Sequence, residues 1–254
     1  MAKRAKRASR ANPREERNYQ NYKKPTLVDL SSPSNRIQKK RNVEIVPRNV
    51  SQENLLLALS DKKKDIVFAT GPAGTGKTHL ATLCAIKALK AGEIEKIVIT
   101  RPNVAVDDKD IGFLPGDVNQ KMLPWMMPIF DQLEEYYTKQ DITNMLENGM
   151  IEIVPVAFIR GRTFKSSMLI FDEAQNSTIS SLLSVLTRIG EGSKIVVTGD
   201  LKQSDRGQKN GLYDFINRFD GKSQRICHVQ FEGKDVVRHP VIKELIEIYK
   251  DLEI

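Results

Sequence analysis

The sequence predicts an α/β fold: a mainly parallel central sheet with helices on both faces, preceded by a disordered basic arm. Three observations carry that expectation. An apolar run, Ile66–Ala69, leads into Gly71-Pro72-Ala73-Gly74-Thr75-Gly76-Lys77-Thr78, and apolar residues at helical spacing (Leu80, Leu83, Ile86) follow. A second apolar run, Met168–Phe171, ends in the paired carboxylates Asp172-Glu173. Strands alternate with helices along the rest of the chain, and the polar loops fall past the strands' carboxyl ends, as in a doubly wound parallel sheet.

Residues 1–42 are expected to stay disordered. They are rich in Lys, Arg, Asn, Ser and Pro, and only Leu27, Val28, Leu30 and Ile37 are sizeable aliphatics, too few to offset the entropy of ordering. The net charge of +8 is concentrated there: residues 1–48 hold 14 Lys/Arg against 4 Asp/Glu, or +10, and the remainder carries −2. Such an arm suits electrostatic contact with nucleic acid, with Tyr19 and Tyr22 available for stacking; a solubilising tail is the alternative. Residues 43–254 are read as one α/β domain.

That domain should begin with a short strand, Val43–Val46, and a helix carrying Leu55, Leu56 and Leu59, capped by Asn49 or Ser51. Gln52 stands where helicase-like NTPases place a glutamine that reads adenine with both ends of its amide; an exposed helix glutamine is the alternative. Gly71 through Thr78 then forms the full P-loop pattern, which places the chain among the P-loop NTPases. Gly71, Gly74 and Gly76 let successive N–H groups turn toward an anion, and the following helix adds its positive end. Lys77 is expected on the β- and γ-phosphates of ATP, and the Thr78 hydroxyl on Mg²⁺.

Lys96–Thr100 reads as the second strand, with Arg101-Pro102 just past its carboxyl end, the side where ligands bind in open α/β sheets. Residues 104–130 are less regular, with a helix over Met122–Leu133 interrupted by Pro124 and Pro128. The Trp125-Met126-Met127 patch within it suits core packing or an interface. A polar helix, Ile142–Glu147, precedes a third strand, Ile151–Val156, after which Arg160 and Arg162 flank Gly161 where charged side chains can reach phosphates. Arg101, Arg160 and Arg162 are therefore the nucleic-acid candidates; surface solvation is the alternative for the last two.

Met168–Phe171 with Asp172-Glu173 is the Walker B pattern. Asp172 is expected to hold Mg²⁺ through its water shell, since magnesium takes few carboxylates alongside substrate phosphates. Glu173 is expected to orient or deprotonate the attacking water. A helix, Ser177–Ile189, capped by Ser177 or Thr178, leads to a fourth strand, Lys194–Thr198. Its tip, Thr198-Gly199-Asp200 with Gln203 close behind, is placed to sense a γ-phosphate. A helix over Gly211–Phe219, a strand over Gln224–Phe231 and a final amphipathic helix to about Leu252 complete the domain.

Cys84 and Cys227 have neither metal-type nor redox-type spacing and suit reduced, buried thiols. No apolar run approaches the roughly 18 residues needed to cross a bilayer, and no apolar segment follows the basic N-terminus. A soluble, cytoplasmic protein is the expectation.

Seven blocks in order resemble the PhoH family: Gly71–Thr78; Thr100-Arg101-Pro102; Gly112-Phe113-Leu114-Pro115-Gly116-Asp117; Arg160-Gly161-Arg162-Thr163; Asp172-Glu173-Ala174-Gln175; Thr198-Gly199-Asp200 with Gln203; and Val237-Arg238-His239-Pro240. The likeness covers about residues 43–252. It implies an ATPase with a core similar to superfamily 1 helicases, acting with RNA or single-stranded nucleic acid, and a homo-oligomer, a hexameric ring being favoured. Longer relatives carry a nuclease-like domain for which this chain has no room, and the basic arm departs from the family core. By position, the resemblance gives Gly71–Thr78 to nucleotide and Mg²⁺, Asp172 to metal, Glu173 to water and Gln203 to the γ-phosphate. Arg238 matches a late helicase-type arginine that could act as an arginine finger across a subunit boundary. Two functions follow from different classes: an ATP-driven remodeller of RNA or single-stranded DNA, or an ATP-dependent assembly switch on a protein partner. A small-molecule kinase fits less well, because no acceptor-binding lid is evident.

Overall fold

Six strands, all pairing in parallel, form one sheet in the order β3-β2-β4-β5-β1-β6. In chain order these are β1 (Ile66–Thr70), β2 (Lys96–Thr100), β3 (Ile151–Ile153), β4 (Ser167–Phe171), β5 (Lys194–Gly199) and β6 (Ile226–Gln230). The helices are α1 (Val50–Ser60), α2 (Lys77–Lys90), α3 (Val118–Glu134), α4 (Lys139–Glu147), α5 (Ile179–Leu186) and α6 (Gly211–Arg218). This computed structural model describes residues 42–102, 118–204, 210–237 and 241, with only the backbone of 118–125. The basic arm, the Gly112–Asp117 block, the Trp125 side chain, Arg238 and the expected final helix from 242 onward lie outside what is described.

Alternate residues of β1, β2, β4 and β5 feed two separate cores, which is why these strands read as continuous apolar runs. Val67, Ala69, Ile97, Ile99, Met168, Ile170 and Val196 face α1 to α4. Phe68, Val98, Leu169, Phe171, Ile195 and Val197 face α5 and α6. Phe68 is fully buried and stacks on Phe215 of α6 with ring centroids 4.2 Å apart. Truncating such a ring to Ala typically costs about 3–5 kcal/mol.

Local chemistry sets the helix starts. Asn49 caps α1 by accepting from the Gln52 N–H at 2.8 Å, Thr178 caps α5, and a reciprocal Thr138–Asp141 box starts α4. The α1 C-terminus ends on Lys194, whose ammonium donates to the carbonyls of Ala58, Leu59 and Asp61.

Two sequence expectations need correcting. Residues 43–46 alternate between inward Val43 and Ile45 and outward Glu44 and Val46, yet form no strand, because the segment packs on the core without a ladder partner. The α3 helix is not interrupted: it begins at Val118 and continues through both Pro124 and Pro128. Within it Met126 is fully buried and Met127 is half exposed, so the methionines split between core and surface.

Candidate functional site

Strand order explains how distant parts of the sequence meet. β5 lies between β1, which carries the P-loop, and β4, which carries Asp172, so the β5 tip touches both. Asp172 Oδ1 accepts from the Thr78 hydroxyl at 2.7 Å and from the Thr198 hydroxyl at 2.6 Å. The two residues expected at one metal are thus in direct contact, and Thr198 joins them. Oxygen-only donors, one carboxylate and hydroxyls, are the set that suits Mg²⁺, which prefers hard ligands and keeps much of its water.

The P-loop is held from several directions. Gly71 has φ +140°, and a Cβ there would meet the Phe231 carbonyl oxygen at 2.4 Å, so no other residue fits this approach of two backbones. The Gly71 N–H donates to Gly199 O at 3.1 Å, and the Val237 N–H donates to Gly74 O at 3.0 Å. Gly76 begins α2 in the left-handed region, and no side chain caps the helix, which leaves its first N–H groups for an anion. Lys77 curls into the loop and donates to Gly71 O at 2.6 Å, Pro72 O at 2.8 Å and Thr75 Oγ1 at 3.2 Å, using all three ammonium protons. Burial pulls its pKa below the ordinary lysine value, against the opposing pull of the Asp200, Glu173 and Asp172 carboxylates.

Gln52 is engaged at both ends of its amide. Its Nε2 donates to Thr75 O at 3.0 Å, its Oε1 accepts from the Arg48 N–H at 2.8 Å, and the residue is buried. One amide end therefore braces the loop and the other the backbone just before α1. A second brace lies beside it, where Asp235 Oδ2 accepts from Ser51 Oγ at 2.8 Å and Asp235 O from Asn49 Nδ2 at 3.2 Å. These bonds tie the start of α1 to the segment whose Val237 holds Gly74.

Glu173 adopts φ +53°, a conformation that costs a non-glycine residue about 1–3 kcal/mol. Its Oε1 lies 3.4 Å from Arg101 Nη2, and its Oε2 accepts from Gln175 Nε2 at 2.5 Å. The buried Gln175 also accepts from the Asp200 N–H at 3.1 Å, linking β4 to the β5 tip. Arg101, read from sequence as a nucleic-acid residue, is thus placed beside the paired carboxylates. Gln203 is exposed at the β5 tip, its N–H bonded to Asp200 O. Thr198 and Gln175 make the close contacts there, and sequence signalled both only as members of motif blocks.

The remaining two arginines diverge. Arg160 is exposed and donates to Ser180 and Ser184 of α5. Arg162 pairs with Glu152 at 2.6 Å and lies over the Phe164 ring at 4.7 Å, while Lys96 holds the same carboxylate. That engagement fits a brace on the β3 edge better than a phosphate contact.

Comparison with known proteins gives the chain's family. Residues 44–250 match the family described as PhoH-like protein. A PhoH-like protein of Bacillus subtilis (strain 168) is 43% identical over 193 residues, covering 74% of this chain and 59% of that protein. One from Synechocystis sp. (strain ATCC 27184 / PCC 6803 / Kazusa) is 40% identical over 223 residues, covering 85% and 66%. The chain spans roughly three fifths of the length of the curated relatives it matches. Among solved structures, the Sulfolobus solfataricus SWI2/SNF2 ATPase core in complex with dsDNA aligns at a TM-score of 0.42 and 13% identity, over 77% of this chain and 47% of that one. The family match extends from before α1 to beyond β6, a span that holds every loop meeting at the P-loop, so this chain belongs to the PhoH-like protein family.

Proposed function

We propose that this protein binds and hydrolyses ATP, and that it uses the cycle to remodel RNA or single-stranded nucleic acid. The observation that carries the first part is the convergence of Lys77, Thr78, Asp172 and Glu173 at the carboxyl ends of β1 and β4, with Thr198 between them. ATP phosphates would take the place of the loop carbonyls around the Lys77 ammonium and meet the N–H groups of Gly71–Thr78. Thr78 and Asp172 are the residues that would hold Mg²⁺, which when bound neutralises charge on the phosphates. Glu173 is the carboxylate within reach to orient the attacking water and accept its proton. Gln203 is carried over from the family pattern as a sensor of the γ-phosphate, and Arg238 as an arginine finger.

The nucleic-acid part rests on family membership and on the +10 charge of residues 1–48. A homo-oligomeric ring belongs to the same reading. No helix among the described residues is long and apolar enough to cross a membrane. An ATP-dependent assembly switch, the alternative, requires no nucleic acid. ATP turnover with and without single-stranded RNA and DNA at two salt concentrations separates the two, with Lys77→Ala and Glu173→Gln as controls. Lys77→Ala should lose nucleotide binding, and Glu173→Gln should bind ATP and fail to turn over. Wild-type turnover in a folded Glu173→Gln protein would remove Glu173 from this role, and indifference to every single strand would favour the switch.

A further inference from the structure

Glu173 is held by two partners at once. Arg101 faces Oε1 at 3.4 Å from the β2 tip, and Gln175 donates to Oε2 at 2.5 Å. A carboxylate held on one oxygen by a guanidinium and on the other by an amide is not free to turn toward a water. The side chains of Arg101 and Glu173 are 24% and 37% exposed, so the pair is open to competition from another anion.

A cavity with room for such an anion is lined in part by the residue that follows Arg101 in the chain. That residue, Pro102, lines this cavity of about 390 Å³ together with Arg160, Asn176, Thr178, Ser181 and Ser184. The far wall starts three residues beyond Glu173, and the Asn176 N–H donates to the Glu173 carbonyl at 3.1 Å. The lining offers a guanidinium, an amide and hydroxyls, and no carboxylate among the described residues. Those are the groups that bind backbone phosphates of nucleic acid.

We propose that Arg101 couples nucleic-acid binding to hydrolysis: a phosphodiester of a single strand lodged in this cavity competes with Glu173 for the Arg101 guanidinium and frees the carboxylate. The guanidinium fork matches carboxylate and phosphate alike, so one can replace the other. Arg101 is a positioning residue acting through Glu173. The coupling rests on the proposed ATPase that acts on nucleic acid.

The test is steady-state ATP hydrolysis by wild type, Arg101→Ala and Arg101→Lys, each alone and with oligouridylate or oligothymidylate. Without nucleic acid, Arg101→Ala should raise kcat by about fivefold or more, the lower end of ordinary coupling between sites, and leave the KM for ATP unchanged. Its further stimulation by either oligonucleotide should fall toward none. Arg101→Lys, which keeps a cation for either anion, should fall between the two, and it carries the test at smaller amplitude if the alanine protein is unstable. A basal kcat that drops in Arg101→Ala overturns the proposal, since Arg101 would then assist Glu173. A wild type stimulated by nucleic acid, beside an alanine variant with the same basal rate and the same stimulation, overturns the coupling alone. A wild type that neither oligonucleotide stimulates overturns the nucleic-acid function and the coupling with it.

Discussion

The Thr198 hydroxyl donates to Asp172 Oδ1 at 2.6 Å, the same oxygen that takes the Thr78 hydroxyl at 2.7 Å. Both bonds fall on one oxygen, which fixes the carboxylate's rotation and leaves Oδ2 outside this pair of bonds. Thr198→Val keeps the β-branched shape and removes the hydroxyl, so the fold should be retained while Asp172 loses one of its two anchors. Losing an outer partner of a metal-binding carboxylate typically costs about 10–100-fold in metal affinity or activity. We expect a rise of that order in the Mg²⁺ concentration needed for half-maximal turnover. An unchanged Mg²⁺ dependence in a folded variant would remove Thr198 from the site.

Gln52 gives a prediction that separates two roles. If its amide braces the loop, Gln52→Ala leaves Thr75 O and the Arg48 N–H without their partners, at a cost of about 1–3 kcal/mol. The melting temperature should fall, and affinities for ATP and GTP should weaken by the same factor. An intact melting temperature with lost discrimination between ATP and GTP would instead show a base reader.

The comparison of Gln52 with Lys77 shows what the sequence could convey. Lys77, Thr78 and Asp172 follow from local patterns, because a P-loop and a strand ending in two carboxylates impose their own geometry on a short stretch of chain. The partners of Gln52, Glu173 and Arg162 depend on tertiary approach. Arg101 meets Glu173 only because β2 and β4 are neighbours, and Thr198 meets Asp172 only because β5 is inserted between β4 and β1. Strand order is not encoded in any single segment. Residues 43–46 show the converse: their inside-outside alternation is real, but no strand among the described residues pairs with them to make a ladder.

His228 supplies a pH dependence. Its Nε2 lies 2.7 Å from Thr70 Oγ1, at the base of the P-loop, and burial pushes its pKa below the ordinary histidine value. A histidine with a depressed folded pKa binds protons more readily once unfolded, so stability is complete above the unfolded value and declines as pH falls toward the folded one. The melting temperature of the wild type should therefore drop more between about pH 8 and about pH 5 than that of His228→Gln, which has no imidazole to protonate. Parallel melting curves across that range would show that His228 takes no part in the acid response.

Arg238 directly follows Val237, whose N–H is fixed to Gly74 O of the same chain's P-loop. Three roles are open to Arg238: contact with the nucleotide of its own subunit, service as a finger to the neighbour in a ring, or a structural surface position. In either of the first two Arg238→Ala should still bind ATP, because Lys77 and the loop N–H groups are untouched, and should hydrolyse slowly; unchanged turnover would leave it a surface arginine. Arginine fingers contribute roughly 10³–10⁵-fold to rate in nucleotide hydrolases, and a contact within the subunit is expected to give less. Mixing separates the two. Arg238→Ala subunits combined with Lys77→Ala subunits place some intact P-loops opposite intact arginines if the site is shared, so turnover should reappear in the mixture. Such recovery requires that the two variants assemble together, which size-exclusion chromatography of differently tagged proteins reports directly. Co-assembly without recovered turnover would confine Arg238 to its own subunit, where the Val237–Gly74 bond already holds the adjoining backbone.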